Sequence, residues 1–294
     1  MDSFAGSPLL HRSSHNPGTQ KSDPKPVIVC ADDFAFNEGV SLAVAQLARL
    51  GRISATSVMV LSPRWHGDAA MLRDLRGQLD VGLHLDWTSP LAVDAGHGLS
   101  LGRAMLRSLA HGFDPKEVTL AIERQLDAFE AQWQAPPGHV DGHQHVHQFA
   151  GIRGPLLDLL DRRYGAGKGP YLRVSRPVGQ DAGVKGWVIG AMGSVALANA
   201  LEARGRRGSP ALTGLYDFSG STADYAARAS AWLHAAPAGA VLMCHPATQA
   251  QPQDLIGSAR LCEFEFWRSD RATELLAQAN AVPARGPGPS PAAR

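Results

Sequence analysis

Apolar positions along this chain follow two rhythms. Short runs rich in Val, Ile, Leu and small residues read as strands: VIVCADD (27–33), ISATSVMVL (53–61), DVGLHLDW (80–87), GHVDGHQH (138–145), YLRVSRP (171–177), TGLYDF (213–218) and GAVLMCHP (239–246). Between them, Val118, Ala121, Ile122, Gln125, Leu126, Phe129 and Trp133 recur at helical steps, and GVSLAVAQLARLG is a second amphipathic pattern closed by Gly51. Strands alternating with helices predict βα units and a largely parallel sheet. Such a set suits a closed or incomplete (β/α) barrel or an open doubly wound sheet, and the rhythm alone favours neither. The stretch after the first strand, ADDFAFNEG, is acidic where a phosphate-binding loop needs bare amides, which argues against a nucleotide-binding domain.

The ends have another character. Residues 1–25 and 281–294 are rich in Pro, Gly and Ser and read as disordered tails, which leaves a single folded domain at 26–280. The start lacks the charged and apolar regions of a secretory signal. One run, WVIGAMGSVALANAL (187–201), is apolar almost all round but too short to cross a bilayer. It reads as a buried helix, with a lid or a lipid-facing surface as the functional alternative.

Composition narrows the partners. Of 294 residues 44% are hydrophobic, enough for a sizeable core, and 28 basic against 27 acidic side chains leave a net charge of +1. No strong field invites nucleic acid or an anionic membrane, so a small or neutral ligand is expected. Cys30, Cys244 and Cys262 form no CxxC pair, and a cytoplasmic setting is expected. Cys30 and Cys244 lie in apolar strands and read as buried small hydrophobes.

The densest chemistry is HVDGHQHVHQ (139–148). His139, Asp141, His143, His145 and His147 would share one face of an extended strand, an arrangement that demands partners or a metal; the alternative is a solvated histidine-rich loop. In α/β folds ligands sit at the carboxyl ends of the strands. Asp32 and Asp33 close the first strand, His84 and Asp86 lie on the third, the histidine run on the fourth, and His245 ends the last. One aspartate with His84 and a second histidine supplies an oxygen and two imidazoles for a divalent metal with open positions. The other aspartate then suits a general base and His245 a proton donor, the outline of metal-assisted hydrolysis.

The motifs CADDFAFNEGV, VGLHLDWT, HVDGHQHVH and VLMCHP, in this order, resemble those of the YdjC-like carbohydrate deacetylases of the ChbG and HpnK type, from about Val27 to the early 270s. The resemblance implies a distorted or incomplete (β/α) barrel of about seven strands and removal of an acetyl group from an N-acetylated amino sugar, free or lipid-linked. It also implies a divalent metal, magnesium first and zinc second, held by Asp33, His84 and His143, with Asp32 as base and His245 as acid. The chain departs from the family at Ala35, where glycine is common, and at Gly142 and Gln144, where serine and histidine are frequent. If position 35 needs positive φ, its alanine is strained.

The remaining polar residues divide. His145 is a candidate for a substrate contact or for orienting a ligand, His139 and His147 read as structural, and Asp141 either orients His143 or closes the turn. Arg173 is a candidate for a substrate or carboxylate contact, with a surface salt bridge as the alternative. Rival readings are another metal-dependent hydrolase such as a phosphoesterase, and a non-catalytic sugar- or metal-binding protein of the same fold. A homodimer is compatible with the sequence.

Overall fold

The structure, a computed structural model, describes residues 23–179 and 188–286. Its strands are β1 (Lys25–Phe34), β2 (Ala55–Val58), β3 (Asp80–Leu85), β4 (His139–Gly142), β5 (Tyr171–Leu172), β6 (Leu212–Thr213), β7 (Val241–Cys244) and β8 (Ala281–Pro283). The longer helices are α1 (Glu38–Arg49), α2 (Leu101–Leu109), α3 (Pro115–Trp133), α4 (Arg153–Tyr164), α5 (Val195–Ala203), α6 (Thr222–Ala235), α7 (Gly257–Arg268) and α8 (Asp270–Gln278).

Every strand pair is parallel, in the order β5-β4-β3-β2-β1-β7-β6, with β8 beside the first residues of β1. Seven parallel strands thus form an open, curled half-barrel with helices between them. Among the described residues the two edges meet at isolated bridges, Leu172 with Gly208 and Pro177 with Leu212. The incomplete barrel expected from the resemblance is the fold observed. β8 was not expected: residues 281–283 lie beyond the boundary drawn at 280, and backbone pairing to Lys25–Val27 orders them in place of an apolar run.

Alternation along the strands sorts two layers. Val27, Val29 and Ala31 of β1 face the helices and join the large outer core, whereas Ile28 and Cys30 face inward with Ala55, Tyr171, Leu212, Val241 and Met243. The α3 stripe buries the seven residues that its periodicity singled out, capped by Asp114, which accepts from the Lys116 N–H, with Pro115 in the first turn. Each fully buried Leu, Ile or Phe there contributes about 1.5–3 kcal/mol. β5 and β6, the two edge strands, are only two residues each, much shorter than their apolar runs.

The apolar run at 187–201 departs from its reading as a buried helix. Trp187 lies outside the described residues. Gly190–Ser194 forms a wide π-type turn that leads into α5, and between 188 and 201 only Ser194, Leu197 and Leu201 are buried, with Val195 58% exposed. Gly193 at φ 129 and the short packing face of α5 leave Ile189, Met192, Ala198 and Ala200 only partly buried against the core. No helix among the described residues is long and apolar enough to cross a membrane.

Candidate active site

The carboxyl ends of β1, β3, β4 and β7 open on one mouth, and the residues just beyond them converge there. Regular alternation would send Asp32 and Asp33 to opposite faces. The β1–β2 register slips between Ala31 and Phe34, and Asp33 and Ala35 take left-handed backbone at φ 67 and 71. Both carboxylates therefore reach His84 from neighbouring positions. The conditional strain at Ala35 is real, since its φ lies where glycine is favoured.

Asp33 Oδ1 lies 3.4 Å from His84 Nε2 and 3.3 Å from His143 Nδ1, while Oδ2 accepts a 2.7 Å bond from Arg260. Oδ1 is buried without a hydrogen-bond partner. Burial works to raise the Asp33 pKa, but Arg260, His143 and His84 together hold it well below the usual carboxylate range. The ring of His84 is fixed from behind by Asp141 Oδ1, 2.7 Å from Nδ1, and by the Ser57 hydroxyl at 3.0 Å. Burial opposes its protonation, yet Asp141, Asp32 and Asp33 together outweigh that and push the imidazole up to about 9. His143 is the accessible member, its side chain 23% exposed.

Behind this triad lies a closed ion network. Arg173 Nη1 and Nη2 donate to Asp32 Oδ2 and Oδ1, both at 2.6 Å, and Nη2 also pairs with Asp141 and lies 3.1 Å from Cys30 Sγ. Burial works to raise both carboxyls, and Arg173 and His84 together outweigh it, keeping Asp32 lowered and Asp141 far below its ordinary range. Arg173 is 1% exposed, so it is a carboxylate contact and neither a surface bridge nor a residue open to substrate. Asp141 serves His84 and Arg173, not His143 or a turn.

Beyond Gly142 the strand ends in a tight turn, His143–Gln148, with Gln144 and His145 in left-handed backbone, which breaks the shared face of the five polar residues. His145 Nδ1 meets the Ser175 hydroxyl at 3.0 Å, clear of the triad. His139 stacks on Tyr171 over Gly82, where an added Cβ would lie 2.4 Å from the imidazole. His147 Nε2 donates to the Arg173 carbonyl at 2.7 Å. Burial pushes His139 and His147 each down to about 4 and His145 to about 3. His245, after β7, places Nε2 4.0 Å from Asp32 Oδ2 across the mouth.

An orphaned carboxylate oxygen facing two imidazole nitrogens fits a divalent cation, because a buried oxygen without a partner is costly unless charge satisfies it. His84 meets a further requirement, since its other nitrogen is held by a carboxylate. Two other groupings, Cys30 with His139 and Asp141, and Asp32 with His84 and Asp141, are also close enough to share an ion. Arg173 already forms ion pairs with their acidic members, and burial pushes the Cys30 thiol well up, away from the thiolate that a metal takes.

Three participants escaped the sequence reading. Arg260 and Glu263 come from α7 and Ser57 from β2. The signal for the α7 pair was present: Arg260, Glu263, Phe264 and Trp267 share one helical stripe, so two charges sit on the apolar face. Ser57 gave no such signal.

The profile of the family described as YdjC-like protein matches residues 26–278. The chain belongs to the YdjC-like family. Among relatives of this YdjC-like chain, a chitooligosaccharide deacetylase of Enterobacter sp. (strain 638) is 30% identical over 159 residues, 52% of this chain and 61% of the relative. One from Serratia marcescens is 32% identical over 148 residues, 48% of this chain and 57% of its own. The chain therefore spans less than two thirds of the length of these curated relatives. In fold, it matches a crystal structure from Enterococcus faecalis V583, provisionally described as a cellobiose-phosphate cleavage protein. The TM-score is 0.68 at 19% identity, covering 90% of this chain and 98% of that one.

Proposed function

We propose that this YdjC-like chain is a metal-dependent carbohydrate N-deacetylase, a hydrolase of the acetamide C–N bond of an N-acetylated amino sugar. The observation that carries the reading is Asp33 Oδ1, buried and unpartnered between His84 Nε2 and His143 Nδ1, beside the ionised Asp32 and across from His245. The relatives named chitooligosaccharide deacetylases support the substrate class.

Asp33, His84 and His143 would hold the cation; magnesium is the first choice, and one carboxylate with two imidazoles also suits zinc. When bound, such an ion supplies Lewis-acid polarisation of the acetyl carbonyl and makes water a better nucleophile. Arg173 holds the Asp32 carboxylate ionised and fixed, so that it can take the proton of the attacking water as the new C–O bond forms. His245 Nε2 gives a proton to the sugar nitrogen as the C–N bond breaks, leaving acetate and an amine. The half-exposed apolar surface of Val195 and its neighbours adjoins the histidine turn, where Gln148 donates to the Ile189 carbonyl at 2.8 Å. This placement supports a lipid-linked sugar as well as a free oligosaccharide.

The test couples metal quantification with acetate release over a panel of N-acetylated sugars. We expect about one divalent ion per chain, and Asp33→Ala and His84→Ala to abolish both binding and acetate release. Undiminished acetate release by both variants sinks the proposal.

A further inference from the structure

His245 is held by a group that the sequence motifs did not include. Its backbone N–H donates to Glu263 Oε2 at 2.5 Å, and its Nδ1 lies 3.9 Å from Glu263 Oε1. That Nδ1 is buried with no hydrogen-bond partner of its own. Glu263 is fully buried in the middle of α7, and Oε1 is pinned by the Tyr216 hydroxyl at 2.6 Å. On the other side of the ring, Phe218 packs edge-on at 5.3 Å, and Nε2 is left facing Asp32 and the mouth. A buried carboxylate is costly unless its oxygens are occupied, and here the occupants are the main chain of His245 and the Tyr216 hydroxyl.

We infer that Glu263, locked by Tyr216, is the positioning residue of His245: it anchors the His245 main chain and presents Oε1 to Nδ1, so that Nε2 is the nitrogen turned to the departing amine. The inference rests on the deacetylase reading and adds to it a residue outside the strand-end motifs. Glu263 lies on a different element from the triad, and its action is confined to the C–N cleavage side of the reaction. A carboxylate at Nδ1 holds a proton there and favours the imidazolium, the form in which Nε2 also carries a proton to give to the amine. The 3.9 Å gap closes by a small ring rotation when substrate fills the mouth, as catalytic hydrogen bonds commonly tighten only in the complex.

The experiment uses the full chain loaded with magnesium or zinc and an N-acetylglucosamine oligomer as probe. For Glu263→Gln we expect kcat to fall by about ten- to a hundredfold with KM within about twofold, because the residue affects proton delivery and not sugar binding. Tyr216→Phe, which removes one hydroxyl and keeps the packing, should lower kcat several-fold in the same sense and carries the test if Glu263→Gln does not fold. In a His245→Asn background, Glu263→Gln should add no further loss, the non-additivity expected of residues acting as a unit. A kcat within twofold of the unaltered chain for both variants, or losses at 245 and 263 that multiply, overturns the inference. Absence of acetate release by the unaltered chain overturns the functional reading first and this assignment with it.

Discussion

Asp32 and Asp33 are neighbours in the chain and opposites in the structure. Asp32 belongs to a closed floor: both its oxygens are taken by Arg173, which also holds Asp141, and His139 and His147 pack around them without access to water. Asp33 belongs to an open rim, where Arg260 satisfies one oxygen and the other faces two imidazoles beneath the accessible His143. The floor pairs its carboxylates with one guanidinium, whereas at the rim Asp33 Oδ1 faces only imidazole nitrogens. In the proposed reading the guanidinium keeps Asp32 ionised as the base, and the imidazoles beside Asp33 suit it to be a ligand. The lesson is that residue type did not separate the two roles; the partner across the barrel did.

The largest expected effect comes from breaking the floor. Arg173→Met leaves two buried carboxylates uncompensated and should cost about 3–5 kcal/mol of stability in urea unfolding followed by circular dichroism. A cost below about 1 kcal/mol would show that the network is not closed as described.

A pH series sharpens the comparison at intermediate scale. His139 and His147 are buried neutral, with folded values pushed down to about 4 from 6.5. As pH falls below 6.5 the unfolded imidazoles take up protons that the folded ones refuse until about 4, so stability declines across that window. Urea midpoints measured between pH 7 and 4.5 should fall, and His147→Gln should flatten the decline. An identical slope in that variant would remove His147 from the account.

The smallest effect concerns the turn that presents the rim. Ala35 pays the left-handed cost of about 1–2 kcal/mol, partly offset by the greater unfolded freedom of glycine, about 0.5–1 kcal/mol. Ala35→Gly should therefore raise stability by roughly 0.5–1 kcal/mol in the same assay. Destabilisation would mean that the contacts of the buried methyl outweigh the backbone strain.

Much of this molecule is legible from residue order. The alternation of apolar strands with the α3 stripe foretold a parallel sheet, and the polar residues that end those strands, Asp32, Asp33, His84, His143 and His245, are those that the mouth gathers. These signals are local, because strand burial and strand ends leave periodic traces in the chain. Other features left weaker traces. β8 is only three residues long and is ordered by pairing with β1, and the run at 188–201, mostly half-buried, looked like core because composition does not reveal which face finds a neighbour.

The sequence by itself determined the elements, the strand-end chemistry and the family. Only the tertiary structure decided the pairings: Arg173 with Asp32 and Asp141, Arg260 with Asp33, and Glu263 with His245. Both cations and the glutamate lie far along the chain from the groups they hold or on other elements. The charge state and free valence of a buried carboxylate depend on distances of a few ångströms, which no spacing in the sequence encodes.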